Sequence, residues 1–187
     1  MSILTQRRSI GYSPEFALLG FLKQAPTHGY ELHQKLKDHL GEIFHANLSQ
    51  TYNILTRLEE QAFINGTTQT QEKRPAKRLY ILTNSGAERF EKWLTETAPG
   101  SVHAVRVELL TRVFFLQKFA PTRIQPTILN QQLAIQSVLE QLQARLNCLP
   151  ADEIINRAGI NLRIEQLSGL LNFLERFLQQ SGDSHVN

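Results

Sequence analysis

Apolar side chains recur at three- and four-residue steps through the first sixty residues, and turn-forming residues break them into three blocks. In "SPEFALLGFLKQ", Phe16, Leu19 and the Phe21–Leu22 pair form one stripe. Ser13 is placed to cap that helix, and Pro14 suits its first position. In "APTHGYELHQKLKDHLG", Tyr30, Leu32, Leu36 and Leu40 fall near helical spacing, with Thr27 as the expected cap and Gly41 at the end. In "HANLSQTYNILTRLEEQAFI", Leu48, Thr51, Leu55, Leu58 and Ala62 make an inward face. Asn47 and Gln50 stand three apart ahead of that stripe, as in a capping box. The opposite face collects Ser49, Gln50, Asn53, Arg57 and Glu60, with Tyr52 on the flank. Two short strand-like stretches follow, "AFINGTTQT" and "LYILT", and Thr83 then caps a fourth helix in "TNSGAERFEKWL".

Beyond residue 95 the pattern changes. "ETAPGS" reads as a linker, and "VHAVRVELLTRVFFLQKF" is apolar almost all round, as a buried helix is. "APTRIQP" interrupts with two prolines, and a helix is expected to start at the following threonine. Two heptad-spaced stripes come next. One is Ile135, Leu139, Leu142, Leu146 and Leu149; the other is Ile160, Ile164, Leu167, Leu171, Leu174 and Leu178. Leu162, Leu170, Phe173 and Phe177 widen the last stripe, so a second copy of the chain is the natural cover for one side of it. The arm 1–12 and the tail "SGDSHVN" read as loose.

Between the two strand stretches lies "QEKRPAKR", which holds Lys73, Arg74, Lys77 and Arg78. Four cations at a hairpin tip repel one another and gain nothing for folding unless an anion arrives. The chain as a whole carries only +3. Residues 1–95 hold 12 Lys and Arg against 9 Asp and Glu, while residues 96–187 hold 8 against 8. A local basic patch on a nearly neutral body points to a defined anionic partner. With 41% apolar residues the chain can build a core. No segment approaches the run of about 18 apolar residues that spans a membrane, and the N-terminal stretch lacks the apolar run of a signal peptide, so a cytoplasmic location is expected.

Three helices followed by a β-hairpin is the element order of a winged helix-turn-helix, in which the third helix enters the DNA major groove and the hairpin tip lies along the backbone or in the minor groove. The fold class expected is mainly α: an N-terminal winged helix-turn-helix over residues 1–95, with three helices plus a β-hairpin wing, and a C-terminal α-helical dimerisation domain over 96–187 that ends in a disordered tail. Lys73, Arg74, Lys77 and Arg78 then sit where phosphates pass, and each phosphate neutralised releases counterions. Gln50 and Asn53 can bond adenine edges, and Arg57 can reach guanine or phosphate. Two-fold pairing of subunits suits two half-sites one helical turn apart.

Three blocks carry a family resemblance: Gly29-Tyr30-Glu31-Leu32 in the second helix, Tyr52, Leu55, Leu58 and Glu59 in the third, and Arg78, Tyr80, Leu82, Thr83 and Gly86 at the second wing strand. Together they resemble the PadR family of bacterial transcriptional regulators over roughly residues 14–95. "VELLTRVFFL" is similar to the start of the helical domain in longer members, a looser match. The resemblance implies a homodimer held by C-terminal helices that binds a roughly palindromic double-stranded operator, usually to repress. It also implies that Gln50, Tyr52 and Asn53 face DNA, with the wing on the backbone; Ser49, on the same outer face, is a further DNA-binding candidate. Ala62 stands where the family often has glycine, which leaves two readings, ordinary helical geometry or a reshaped turn. Ser49-Gln50 replaces a common Gly-Ser/Thr pair.

Other residues have plainer readings. Tyr52 suits the core edge as well as a phosphate, and Tyr30 and Tyr80 read as core residues. Cys148, the one cysteine, reads as a small buried hydrophobe, and Trp93 is expected at the junction of the two halves. His28, His33, His39 and His45 crowd one stretch without metal-ligand spacing, so no metal or other cofactor is expected. No nucleophile triad, phosphate loop or carboxylate pair appears, which argues against an enzyme. A small-molecule effector is left open. The rival from another class is a winged-helix module that binds protein instead of DNA, and the four wing cations argue against it.

Overall fold

In the computed structural model, residues 14–71 and 74–183 are described. They form two compact units that divide between Glu96 and Thr97. The first contains α1 (Glu15–Gln24), β1 (Thr27–His28), α2 (Gly29–Leu40), α3 (Leu48–Glu60), β2 (Ile64–Gln71), β3 (Arg74–Leu82) and α4 (Asn84–Thr95). Helices α1 to α3 with a three-stranded antiparallel sheet in the order β1-β3-β2 make this unit a winged helix, to which α4 is added. Its core is built by Leu18, Leu19 and Phe21 of α1, Leu32 and Leu36 of α2, Leu55 and Leu58 of α3, Ile64 of β2 and Phe90 of α4.

The helix ends follow local chemistry, with several departures from the expected pattern. Ser13, the expected cap of α1, lies outside the described residues, and Pro14 takes the cap position itself. Thr27 does not cap α2. It pairs with Tyr80 across the sheet, and its hydroxyl donates to the Ala25 carbonyl at 2.8 Å. His28 holds the cap position instead, with no side-chain cap bond. Tyr30, expected in the core, is 57% exposed. At α3 the capping box is complete: Gln50 N donates to Asn47 Oδ1 at 2.8 Å, and Asn47 N donates to Gln50 Oε1 at 2.9 Å. Thr51, Leu55 and Leu58 are buried as expected, whereas Leu48 is exposed.

The turn after α3 resolves the question at Ala62. Its φ is +58°, in the left-handed region. Ala62 N donates to Glu59 O at 2.9 Å and Phe63 N to Leu58 O at 2.9 Å. These two bonds form a Schellman motif, whose left-handed position glycine usually fills. The backbone thus keeps the glycine-type turn and strains an alanine to do so. Thr83 caps α4, accepting from Gly86 N at 3.1 Å. The Thr83 and Ser85 hydroxyls both reach the Ala62 carbonyl, at 2.8 and 2.9 Å.

The second unit begins with a segment less loose than its Pro and Gly content suggests. Ala98 is buried, and the buried Gln131 Nε2 donates to its carbonyl at 3.0 Å. Then come α5 (Val102–Ala104), a π-helical turn (Val105–Leu109), α6 (Leu110–Phe119), a 3-10 turn (Pro121–Arg123), α7 (Ile124–Cys148) and α8 (Ile154–Asp183). The expected apolar helix is therefore interrupted by a π turn. It also carries a fully buried Arg112, paired with Glu108 at 3.1 Å. Helix α7 starts three residues before the expected threonine. Pro126 falls in its first turn, where the backbone N–H has no helical partner to lose.

Both heptad stripes meet in one cluster. Ile135, Leu142, Leu146, Ile160, Leu167 and Leu174 are among its buried members, and Leu139, Leu149, Ile164, Leu171 and Leu178 pack against it. Cys148 is exposed, contrary to the buried reading. Its apolar neighbours in sequence belong to the stripe, and it does not. Helix α8 runs through Asp183, so residues 181–183 of the expected loose tail are helical. Residues 1–13 and 184–187 lie outside the described residues.

Candidate nucleic-acid interface

Helix α3 presents a narrower polar face than its composition suggests. At about 100° per residue, Ser49, Asn53, Thr56 and Glu60 share the outer ridge, and all four are exposed. Thr56 joins that ridge by the same helical spacing. Tyr52 lies on the flank of that ridge, 40% exposed. Gln50 and Arg57 lie on the opposite flank.

Two of those flanking groups are already engaged. Gln50 gives its Oε1 to the capping box, which leaves its amide nitrogen as the group able to donate outward. Arg57 Nη2 donates to Glu15 Oε2 at 2.8 Å, and Arg89 Nη2 donates to the other oxygen of the same carboxylate. Two guanidinium groups around one carboxylate keep a net positive charge while tying α1, α3 and α4 together. Arg89 also lies over the Phe63 ring, 4.5 Å from its centroid.

The wing cations separate as well. Lys73 lies outside the described residues, and Arg74 is the first residue of β3. Lys77 and Arg78 are adjacent in a strand, so they stand on opposite faces of the sheet. Both are exposed. Arg78 Nη2 donates to Glu59 Oε1 at 2.6 Å. That hydrogen bond, and then the carboxylate's charge, raise the Arg78 guanidinium above its ordinary pKa. Glu59 is a site residue that the sequence showed only as part of a motif; nothing in its spacing announced a partner nineteen positions on.

A cleft of about 160 Å³ joins these elements. His28, Gly29, Tyr30 and Glu31 line it from the start of α2, Tyr52 from α3, and Lys77 and Arg78 from the wing. The flank of α3 and the base of the wing therefore open on the same side of the unit. Gly29 makes room for this: a Cβ there would lie 2.7 Å from Tyr52 Cε1. His28 Nδ1 sits 3.2 Å from the Arg78 carbonyl, which ties the start of α2 to β3.

Trp93 stacks on Phe16 with ring centroids 4.6 Å apart, and tilts against Phe90 at 5.8 Å. Both partners lie within the first unit. Among the described residues no group of three His, Cys, Asp or Glu is placed to hold a metal ion, and no helix is long and apolar enough to cross a membrane.

Residues 18–92 match the model of the Transcriptional regulator PadR-like family. Negative transcriptional regulator PadR of Bacillus subtilis (strain 168) is 28% identical over 137 residues, covering 73% of this chain and 75% of that protein. A probable transcriptional regulator of Mycobacterium tuberculosis is 31% identical over 91 residues, 46% of this chain and 48% of that one. Among solved structures, Bacillus subtilis PadR in complex with operator DNA is similar at a TM-score of 0.45 and 24% identity, over 89% of this chain and 98% of that one. The same protein in complex with p-coumaric acid is similar at 0.40 and 22%, over 90% and 95%. Residues 18–92 of the chain therefore carry a domain of the Transcriptional regulator PadR-like family.

Proposed function

We propose that the protein is a homodimeric repressor that binds a palindromic operator in the cytoplasm through two winged helices. The observation that carries this reading is the shared cleft, where Tyr52 of α3 and Lys77 of the wing line one opening. A duplex lying along that side meets both elements at once. Ser49, Asn53 and the Gln50 amide nitrogen read base edges in the major groove. Lys73, Arg74 and Lys77 neutralise phosphates, and Tyr52 adds a hydroxyl at the groove edge. Repression accords with the name of the Bacillus subtilis relative.

The dimer reading is supported by a second apolar stripe. Ile155 and Leu162 of α8 are 83% and 56% exposed, and Phe173 is 39% exposed. Gly159 and Gly169 on the same helix have nothing within 4 Å of a built Cβ. A matching helix from a second copy buries such a stripe, as two-fold self-pairing requires.

The test is selection of duplexes from a random-sequence pool by the full-length protein, followed by affinity measurement at several salt concentrations. The expected result is a palindromic consensus and a log–log salt slope of about −0.9 for each phosphate contacted. Failure to enrich any duplex, or salt-independent binding, overturns the reading in favour of a protein-binding module. Leu162→Glu, examined by analytical ultracentrifugation, is expected to yield monomers that lose the operator. A wild-type monomer removes the homodimer.

A further inference from the structure

Alternate residues of a strand share a face, so Arg78 stands with the buried Tyr80 and half-buried Leu82, on the side of the wing that meets the helices. Glu59, in the last turn of α3, offers one carboxylate oxygen to two partners on different strands. Oε1 accepts from Arg78 Nη2 on β3 at 2.6 Å and from the Gly66 backbone N–H on β2 at 2.9 Å. Gly66 faces Tyr80 across the ladder. A side chain does not fit there: a Cβ at 66 would run into Arg78 Nε and stand 2.8 Å from Glu59 Oε1. One oxygen atom thus joins the recognition helix to both wing strands, through a charge-assisted bond and a backbone bond.

We propose that Glu59 and Arg78 are positioning residues for DNA recognition, holding the wing at a fixed angle to α3, and that Arg78 is not a phosphate contact. This assignment rests on the DNA-binding reading above. It makes a prediction of opposite sign to simple electrostatics. A carboxylate beside a surface that meets phosphates repels the duplex, so neutralising it should tighten binding if charge alone mattered. If Glu59 acts through geometry, Glu59→Gln loosens binding instead, because the wing and helix then order only when DNA arrives. Arg78→Lys separates the same two ideas. It keeps the charge and loses the planar fork that spans from β3 to Glu59 over Gly66.

The experiment uses the full-length protein and fluorescence anisotropy on two probes. One is a duplex enriched by the wild-type chain from a random pool, and the other is a mixed-sequence duplex of equal length. Glu59→Gln and Arg78→Lys are each expected to weaken the enriched duplex about tenfold, and together by no more than either alone, since both weaken the same charge-assisted contact. The salt slope stays at the wild-type value, and the mixed-sequence duplex, bound through phosphates, changes little. Thermal melts establish that each variant is folded at the assay temperature. Should Glu59→Gln fail that check, Arg78→Lys and Gly66→Ala carry the same expectation.

Unchanged or tighter binding by Glu59→Gln overturns the assignment. So does wild-type binding by Arg78→Lys together with a slope reduced by about 0.9 in Arg78→Ala, the signature of a phosphate contact. Equal weakening of both probes overturns it too, because a loss of fold or charge is then sufficient. If the wild-type chain enriches no duplex, the DNA-binding reading itself fails. Enrichment by the wild type with unaffected variants defeats only the positioning role.

Discussion

Tyr52 of the recognition helix lies across Gly29 at the start of α2, so closely that a methyl group on residue 29 would stand 2.7 Å from its ring. The glycine is there for an approach between side chain and backbone; the turn chemistry at that point does not call for it. Gly29→Ala is expected to leave thermal stability unchanged or raised, because alanine favours a helix over glycine by up to about 1 kcal/mol. The same change pushes Tyr52 off its seat. Operator affinity is expected to fall about fivefold, comparable to losing one hydrogen bond. Parallel melting and anisotropy measurements check the pair of effects. A variant that melts lower and binds normally would show that the contact serves folding instead.

Gln50 has one role in the capping box and one proposed toward DNA, and the two can be separated. Gln50→Glu preserves the acceptor for Asn47 N and places a negative charge at a helix N-terminus. Stability is expected to rise by a few tenths, up to about 1 kcal/mol. Operator binding is expected to weaken, since the outward amide donor is gone and the new charge faces phosphate. Asn47→Ala removes the reciprocal bond and is expected to cost about 1 kcal/mol in urea unfolding.

Ala62 holds a left-handed backbone at φ +58°. An L-residue there is disfavoured by about 1–2 kcal/mol, of which glycine's larger folding entropy returns part. Ala62→Gly is expected to stabilise the protein by about 0.5–1 kcal/mol in urea unfolding and to leave operator affinity unchanged. Equal or lower stability would mean that the turn relaxes around alanine without strain.

Burial pushes the Tyr80 phenol above its ordinary pKa, against the opposing pull of nearby Arg78. Its folded value therefore exceeds its unfolded value of about 10. Stability from this residue is present below that pH and is lost as pH rises through the folded value. Urea midpoints are expected to drop on the alkaline side of about pH 10, and the drop is expected to be shallower in Tyr80→Phe. An identical alkaline profile in both proteins would assign the loss to other groups.

Much of this architecture is written in short-range pattern. The capping box at Asn47 and Gln50, the buried Thr51, Leu55 and Leu58, and the heptad stripes of α7 and α8 each depend on neighbours within one or two turns, and each was legible. What escaped depends on distance. Strand β1 is two residues long and exists only because Thr27 and His28 meet Tyr80 and Leu79, fifty residues away in the chain. Arg57 and Arg78 read as cations free for phosphate, since sequence does not display Glu15 forty-two positions before one or Glu59 nineteen before the other. Cys148 was misjudged from the apolar residues beside it, although the helical period alone separates it from the stripe through Leu142 and Leu146.

The hydroxyls of Thr83 and Ser85 converge on one carbonyl, that of Ala62. The exit of the recognition helix and the entrance of the next are therefore riveted at a common point. Amide hydrogen exchange in the two stretches should rise and fall as a single opening event.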